Sequence, residues 1–380
     1  MLEKNISLDL LELIKNQEFD VKAKERILEI SKPKRQTATF PKKIQLSQNL
    51  LKSLFLIFGD GHYKSKLFLT NKNYMIHNFV IATFENELKI KRDFWRLRII
   101  HSENKKQKQM GLVKNYWLSS LQFKENQLYP TISSSTKYQT GVFGIARIQI
   151  DKITYADVIR TLIQKVEQLI SENKISSKNY CIIADAILNA EGSVLRDSKG
   201  IHRLTISFNQ SEKNLFKTIF SHAVTKDILY DKKDRFTIST WNFIYQFLKP
   251  FVKYNLMPFS LRPKDAFNLA AGFINHKRTK ALRNYLETIQ NNEGKSFSEI
   301  AKLSNRDWKS AKQTLQIRTQ EFIEIRKFKN KHLTFISKEG INLLNLLYTL
   351  ENWLPSITAM PEEDNFKLEK YREVINYLAN

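Results

Sequence analysis

Cysteine is almost absent from this sequence of 380 residues. Cys181 is its one cysteine, so a disulfide within the chain and a cysteine-based zinc site are both excluded. The neighbours Tyr180 and Ile182 predict that Cys181 is a small buried residue. No apolar run approaches the roughly 18 residues that span a bilayer, and the N-terminal segment lacks an apolar run of signal-peptide length. We therefore expect no membrane partner and an intracellular location, in the cytoplasm, a nucleoid or an organelle matrix.

Acidic residues are also few. The chain has 38 of them against 62 lysines and arginines, which gives a formal net charge of +24. Such an excess favours a polyanionic partner, because a basic surface gains affinity by releasing counterions from nucleic acid. Hydrophobic residues make up 42% of the sequence, so the charge belongs to a folded protein and not to a basic tail. We expect two or three domains and a nucleic acid as the partner.

Apolar periodicity predicts a regular order of elements between residues 178 and 255. The order is α-β-β-α-β-β-α, read from the spacing of apolar residues and from turn-forming residues. The predicted elements are helix Asn179–Ala190, strands Ser193–Arg196 and His202–Phe208, helix Ser211–Ala223, strands Ile228–Tyr230 and Arg235–Ser239, and helix Trp241–Phe251.

The first half repeats this order more loosely. Its predicted elements are a buried helix that ends at Asp60, strand Lys66–Leu69, helix Asn73–Asn86, strands Phe94–His101 and Phe143–Ile150, and helix Thr154–Ile170. Residues 102–140 look like an insertion between the two strands. The N-terminal residues predict two short helices, Leu8–Lys15 and Val21–Ile30.

The last hundred residues have a different pattern. After a helical connector that includes Ala281–Ile289, the predicted elements are helices Ser296–Leu303 and Arg306–Phe322, a hairpin of Ile323–Phe328 and Leu333–Ile336, and helix Lys338–Trp353. This is the layout of a winged helix-turn-helix. We therefore divide the chain into an N-terminal helical extension (1–40), two repeated domains (41–172 and 173–275), and a connector with a winged-helix-like domain (276–380).

Two related segments begin the two repeats. They are SLFLIFGDG (Ser53–Gly61) and ADAILNAEG (Ala184–Gly192), and each is an apolar helix that ends in a small residue, a carboxylate and a glycine. This pattern resembles the LAGLIDADG family of homing endonucleases, over about residues 40–275. The second copy is the closer match, with Ala186 and Ala190 at small positions of the motif.

The resemblance implies an α+β fold. In it, two pseudo-symmetric αββαββα domains form a β-saddle on DNA. The winged helix-turn-helix predicted from the pattern of the last hundred residues would follow them. The two motif helices would pack along the pseudo-twofold axis of a monomer, since small residues let helices approach closely. The first copy departs from the motif at Phe55 and Phe58, and the second at Asn189.

The resemblance also implies the chemistry. Asp60 and Glu191 would be the catalytic residues and the ligands of Mg²⁺ or Mn²⁺, which activates water and stabilises the leaving oxygen in phosphodiester hydrolysis. The expected activity is site-specific cleavage of double-stranded DNA. The family also places a lysine or another polar group near each metal, and the sequence does not single one out.

Basic residues on the predicted strands are the candidate DNA contacts, because a two-stranded ribbon fits the major groove. They are Lys64, Lys66, Arg96, Arg98, Arg147, Arg196, Arg203 and Arg235. Arg147 and Arg203 alternate with apolar neighbours, which predicts that they lie on an exposed strand face. In the winged-helix segment the candidates are Lys309, Lys312, Gln313 and Arg318 on the recognition helix and Arg326, Lys327, Lys329 and Lys331 on the wing.

Two other functions remain open at this stage. One is a non-cleaving transcription regulator, similar to bacterial sporulation regulators that join a LAGLIDADG domain to a helix-turn-helix. The retention of both acids, Asp60 and Glu191, disfavours it. The other is an RNA maturase that binds intron RNA. The C-terminal segment has its own alternative, a helical domain that contacts protein.

Overall fold

The computed structural model of the chain is mixed α+β with several small sheets, which confirms the predicted class. It describes residues 6–15, 17–33, 36–63, 65–101, 110–130, 133–134, 143–197, 200–224, 229–305, 307, 309, 320–329 and 331–359. None of the helices in these ranges combines the length and the apolar character that crossing a bilayer requires. Cys181 is buried, as its neighbours predict.

The N-terminal region is mostly strands. Its elements are β1 (Ser7–Asp9), α1 (Leu10–Ile14), β2 (Asp20–Ala23), β3 (Ile27–Ser31), β4 (Ala38–Pro41) and β5 (Lys43–Gln45). The prediction of a helix over Val21–Ile30 is therefore wrong, and the helix predicted over Leu8–Lys15 shrinks to α1. The physical reason is an alternation with a period of two: Leu28 and Ile30 are buried between half-buried neighbours, as on a strand with one packed face.

The first repeat begins with α2 (Gln48–Asp60). The elements that follow are β6 (Gly61–His62), β7 (Leu67–Asn71), α3 (Tyr74–Leu88), β8 (Arg96–His101), α4 (Met110–Leu121), β9 (Ser133–Ser134), β10 (Ile145–Ile150) and α5 (Ile153–Ser171). The sheet has the order β6-β7-β10-β8-β9. Its pairs are antiparallel except for β8 with β9. Helix α4 lies within the predicted insertion, and its Trp117 is fully buried.

The second repeat begins with α6 (Ser177–Glu191). The elements that follow are β11 (Gly192–Asp197), β12 (Gly200–Ser207), α7 (Lys213–Ala223), β13 (Tyr230–Asp231), β14 (Arg235–Ile238) and α8 (Trp241–Lys253). The sheet has the order β11-β12-β14-β13. In both repeats the strands counted from the motif helix therefore lie in the order first, second, fourth, third, apart from the added β9.

The C-terminal region packs on the second repeat. Its described elements are α9 (Pro263–Asn275), α10 (Lys277–Asn291), α11 (Phe297–Leu303), β15 (Ile323–Phe328), β16 (Lys331–Ile336) and α12 (Lys338–Ala359). Helix α12 lies against α8 and α9. Lys249 Nζ on α8 contacts Glu339 Oε2 on α12 at 2.8 Å, and Trp241 stacks on Phe273. The two regions consequently share one continuous hydrophobic core. Most of the predicted recognition helix, Arg306–Phe322, lies outside the described residues.

Candidate active site

The two motif helices, α2 and α6, pack side by side. The helices approach closely near their C-terminal ends, where a Cβ placed on Gly59 would lie 2.7 Å from Ala190 Cβ and 3.7 Å from Glu191 Cγ. Two non-bonded carbon atoms do not come as close as 2.7 Å, so a side chain at position 59 would push the helices apart. This contact brings the next residues, Asp60 and Glu191, to the same end of the helix pair.

Asp60 and Glu191 form a partly buried carboxyl pair. Burial raises the pKa of Asp60 to about 8, and the negative charge of Glu191 contributes to this rise. Burial also raises the pKa of Glu191, to about 7, with a contribution from the charge of Glu212. Removing water disfavours the charged form of a carboxyl group, and a like charge nearby does the same. Two such groups at one place are what a bound cation would stabilise in the ionised state.

Asn71 fixes the orientation of the Asp60 side chain. Its amide Nδ2 donates a hydrogen bond to Asp60 Oδ2, which acts to lower the pKa of Asp60. Asn71 Oδ1 accepts from the backbone N–H of Asn73 at 2.8 Å, so the amide cannot turn its oxygen toward the carboxylate. The Asn71 carbonyl also contacts the ring Nε2 of buried His77 at 3.0 Å. Asn71 is therefore held as a hydrogen-bond donor.

The second repeat carries a different residue at the position of this amide. The glycine that follows each motif carboxylate pairs with Leu69 in the first sheet and with Ile206 in the second. Two residues after these partners come Asn71 and Phe208, respectively. Because a phenylalanine ring has no N–H to donate, position 208 cannot do for Glu191 what Asn71 does for Asp60. The pair is thus chemically asymmetric.

Arg262 supplies positive charge beside the pair. Its Nη1 donates to the carbonyl of Gly192, and its Nη2 lies 2.6 Å from Asp265 Oδ2. The guanidinium acts to lower the pKa of both Asp60 and Glu191. Sequence reasoning missed Arg262, because it lies in the link between α8 and α9, outside any motif. The one local indication is that it immediately precedes Pro263, the first residue of α9.

The same link connects the two motif helices through a buried ion pair. Lys52 Nζ on α2 lies 2.7 Å from Asp185 Oδ2 on α6, and Lys52 also donates to Ser260 Oγ. Ser260 Oγ in turn donates to Asp185 Oδ2 at 2.7 Å. A buried charge is tolerated when it is paired and hydrogen-bonded in this way. The network holds α2, α6 and the link in one arrangement.

Asn189, where the second segment departs from the LAGLIDADG pattern, has a structural role. Its Nδ2 donates to Asp185 Oδ1 at 2.9 Å, and its Oδ1 accepts from the backbone N–H of Leu261 at 2.9 Å. The Leu261 carbonyl accepts from Asn73 Nδ2 of the first repeat at 2.7 Å. Nearby in the link, buried Phe259 has a φ of 58°, a strained conformation for a bulky residue. The link is therefore held tightly against both repeats.

A pocket of about 510 Å³ opens beside Glu191. It combines residues of both repeats with the start of α9, and its lining carries cationic, amide and hydroxyl groups as well as the carboxyl groups of Glu191 and Asp265. Members of the lining are Thr70, Asn71, Lys72, Ser193, Ser207, Arg262 and Lys264. Such a lining is suited to an anionic, hydrogen-bonding ligand.

The first sheet has one polar face. Arg147 on β10 pairs with Thr70 on β7 and with Arg98 on β8, so the three side chains share a face. The alternate residues Leu97 and Ile148 are fully buried on the other face. The prediction that Arg147 lies on an exposed strand face agrees with this arrangement, although its side chain is half-buried. Arg96 lies on the same face, two residues before Arg98.

The second sheet is arranged in the same way. Thr205 on β12 pairs with Thr237 on β14, which pairs with Tyr230 on β13. Arg203 is two residues before Thr205 and therefore shares this face, whereas Leu204 is buried on the other side. Each sheet thus has a polar face with at least one arginine, and on the second sheet Thr205 and Thr237 are buried while Arg203 is half-buried.

The remaining predicted contacts lie in several places. Lys66 is exposed just before β7, and Arg235 bonds its neighbour Asp234. Arg326, Lys327, Lys329 and Lys331 are exposed on the C-terminal hairpin, and Lys309 is exposed. Arg196 belongs to β11, but its side chain lies outside the description. Four candidates lie outside the described residues altogether: Lys64, Lys312, Gln313 and Arg318.

Among the described residues, no group of three or more His, Cys, Asp or Glu side chains could hold a metal ion. The carboxyl pair of Asp60 and Glu191 would therefore offer a cation two protein ligands. Mg²⁺ is commonly bound by one or two carboxylates, with waters and substrate phosphates supplying the rest.

No protein-family model, no curated protein and no solved structure matches the chain.

Proposed function

We propose that the chain is a monomeric, site-specific endonuclease of the LAGLIDADG homing type that hydrolyses double-stranded DNA. The observation that carries this proposal is the contact of Gly59 with Ala190, which brings Asp60 and Glu191 together between two sheets of the same strand order. One apolar helix ending in Asp-Gly is common in proteins. Two such helices, packed at their carboxylate ends within a repeated fold, favour a shared site.

Asp60 and Glu191 would hold a divalent cation, Mg²⁺ or Mn²⁺. Their fit to this role rests on the partial burial of both carboxyl groups at one place and on their raised pKa values, since a cation offsets the removal of two carboxylates from water. When bound, such an ion supplies an activated water and stabilises the leaving oxygen of a phosphodiester. Asn71 keeps the Asp60 carboxylate oriented through its amide.

The other residues of the site would bind the DNA backbone. Arg262 is anchored by Gly192 and Asp265, and a guanidinium is well suited to phosphate oxygens. The polar faces of the two sheets would form the saddle that reads base edges in the major groove. The C-terminal region would add a winged helix-turn-helix, whose hairpin carries Lys327 and Lys329.

The test is a cleavage assay on a library of randomised double-stranded DNA, with a gel-shift assay in parallel. We expect cutting that requires Mg²⁺ or Mn²⁺. Asp60→Asn and Glu191→Gln should abolish cutting and leave binding nearly unchanged, because each amide keeps the shape of the carboxyl group but loses its charge. Glu172→Gln is the matched control: it removes a carboxylate at the protein surface that is paired with Lys174, and it should cut as the wild type does.

A non-cleaving transcription regulator is the second candidate. The exposed cationic hairpin of the C-terminal region favours it, since such an element serves binding rather than hydrolysis. A wild-type protein that binds a selected duplex but never nicks it with either metal would establish the regulator. A preference for structured intron RNA over duplex DNA would establish the maturase.

A further inference from the structure

The hairpin of β15 and β16 is anchored by β16, which lies against α10 and α11, and it is exposed along β15 and at its outer end. Ile323 and Ile336 pair at its base and are both buried. By contrast, every residue of β15 from Glu324 to Phe328 is exposed. Successive side chains of a strand point to opposite faces, so neither face of this outer half is covered. On β16, Thr334 lies opposite Ile325, is fully buried and exchanges backbone hydrogen bonds with Gly294 and Lys295. The part of the hairpin that is available to a partner is therefore β15 and the outer end.

Phe328 is the apolar residue at the outer end. It is the last residue of β15, it pairs with Lys331, and its side chain is 64% exposed. A single exposed apolar residue is common on protein surfaces and needs no explanation by itself. Its position beside the turn at the exposed end of the hairpin, however, leaves the ring available to a partner.

Cations surround Phe328. Lys327 and Lys329 flank it in sequence, Lys331 is its cross-strand partner, and all three are exposed. Lys329 Nζ lies 5.9 Å from the centre of the Phe328 ring. An apolar ring among cations matches a partner that offers an apolar interior between two lines of negative charge. Duplex DNA has this combination, because its stacked bases lie between two phosphate backbones.

Apolar insertion between base pairs takes place from the minor groove of DNA. This groove is about 6 Å wide in undistorted DNA, which is narrower than a two-stranded ribbon with its side chains, so only the outer end of the hairpin would enter, as the groove opens on bending. Proteins that bind there insert apolar side chains between base pairs and bend the duplex by roughly 20–90°. We propose that the end of this hairpin enters the minor groove and that Phe328 inserts between two base pairs, bending the DNA. This inference rests on the DNA binding of the proposed function, but not on cleavage.

The experiment uses the full chain and a duplex of roughly 30 base pairs. The duplex has a mixed sequence with TA and CA steps and carries a donor and an acceptor dye at its two ends. Divalent metal is left out so that no strand is cut. Binding of the wild type should bring the dyes closer. Phe328→Ala should remove this change and raise Kd about tenfold, the lower part of the range for a base stacked on an aromatic ring.

Two variants of the same hairpin serve as controls. Ile325→Ala removes another exposed apolar side chain, three residues before Phe328, and should retain both affinity and bend. Lys327→Gln should weaken binding and lower the slope of log K against log salt by about one, while the bend remains. Phe328→Ala should leave that slope unchanged, because it removes no charge.

The possible results separate this inference from the proposed function. If the wild type binds the duplex and Phe328→Ala bends it equally, insertion is overturned and DNA binding stands. If Ile325→Ala loses the bend as well, a specific role of Phe328 is overturned. If the wild type binds no duplex even at low salt, both proposals fail.

Discussion

Arg98 and Arg147 lie directly opposite each other on the adjacent strands β8 and β10. Like charges in this position destabilise a sheet. Each guanidinium lies over an aromatic ring, Arg147 at 4.4 Å from the centre of Phe68 and Arg98 at 4.9 Å from the centre of Tyr129. The rings hold the two arginines apart from the core and toward the polar face of the sheet. Two guanidinium groups side by side on one polar face favour an electronegative partner.

The first prediction concerns this pair. Arg147→Gln should weaken binding to a selected duplex by roughly ten- to a hundredfold, because a guanidinium that bonds a guanine edge contributes about 1–3 kcal/mol. The free energy of unfolding should stay the same or rise slightly, since the repulsion is removed. Gel-shift titration and urea unfolding measure the two quantities. Lys89→Gln, at the exposed end of α3, is the control; equal weakening by both variants would contradict base recognition.

The second prediction concerns the contact between the motif helices. Gly59→Val should lower the free energy of unfolding by about 1–3 kcal/mol, the range for an overpacked core, because Ala190 lies in the way. Ala190→Gly in the same chain should restore part of the loss. Urea unfolding of the two single variants and the double variant measures the coupling. Strictly additive effects would show that the two positions do not meet.

The third prediction concerns the buried ion pair. Lys52→Met should destabilise the protein by about 3–5 kcal/mol, since it leaves the buried Asp185 carboxylate without its cation. Chemical denaturation measures this change, and Lys89→Met provides an exposed control with the same substitution. A loss no larger than that of the control would mean that the hydrogen bonds from Ser260 and Asn189 satisfy Asp185 without the cation.

The fourth prediction concerns pH. Burial lowers the pKa of His77 from 6.5 to about 4, so between these values the unfolded chain binds a proton that the folded protein excludes. The contribution of His77 to stability is therefore lost as the pH decreases from about 6.5 to about 4, whereas the raised pKa values of Asp60 and Glu191 act in the opposite direction. His77→Gln should remove the His77 contribution, so the variant should lose less stability, or gain more, than the wild type as the pH decreases; its amide can still donate to the Asn71 carbonyl. Denaturant unfolding at several pH values gives the free energy of unfolding of both proteins. If this free energy depends on pH in the same way in both, the titrating group is not His77.

The sequence was most informative where one residue pattern repeats within a single element. The apolar run that ends at Asp60 and the one that ends at Glu191 predicted α2 and α6, and both helices end at those residues. Alternation along β10 placed Arg147 on the polar face. The pattern was ambiguous over Val21–Ile30, where helix-forming residues occupy a short hairpin because pairing with β4 outweighs their local preference.

Tertiary structure decided the rest of the candidate site. Lys52 and Asp185 are 133 residues apart in sequence, and Asn73 and the Leu261 carbonyl are 188 apart. Hydrophobic periodicity relates residues within one helix or strand, so it cannot predict contacts between residues so far apart in sequence. Arg262 comes beside the carboxyl pair because the link after α8 folds back across both motif helices. The sequence by itself determined which helices carry the two acids, since hydrophobic periodicity is a local property. Only the packed chain decided that the Arg262 guanidinium and the Asn71 amide lie beside them.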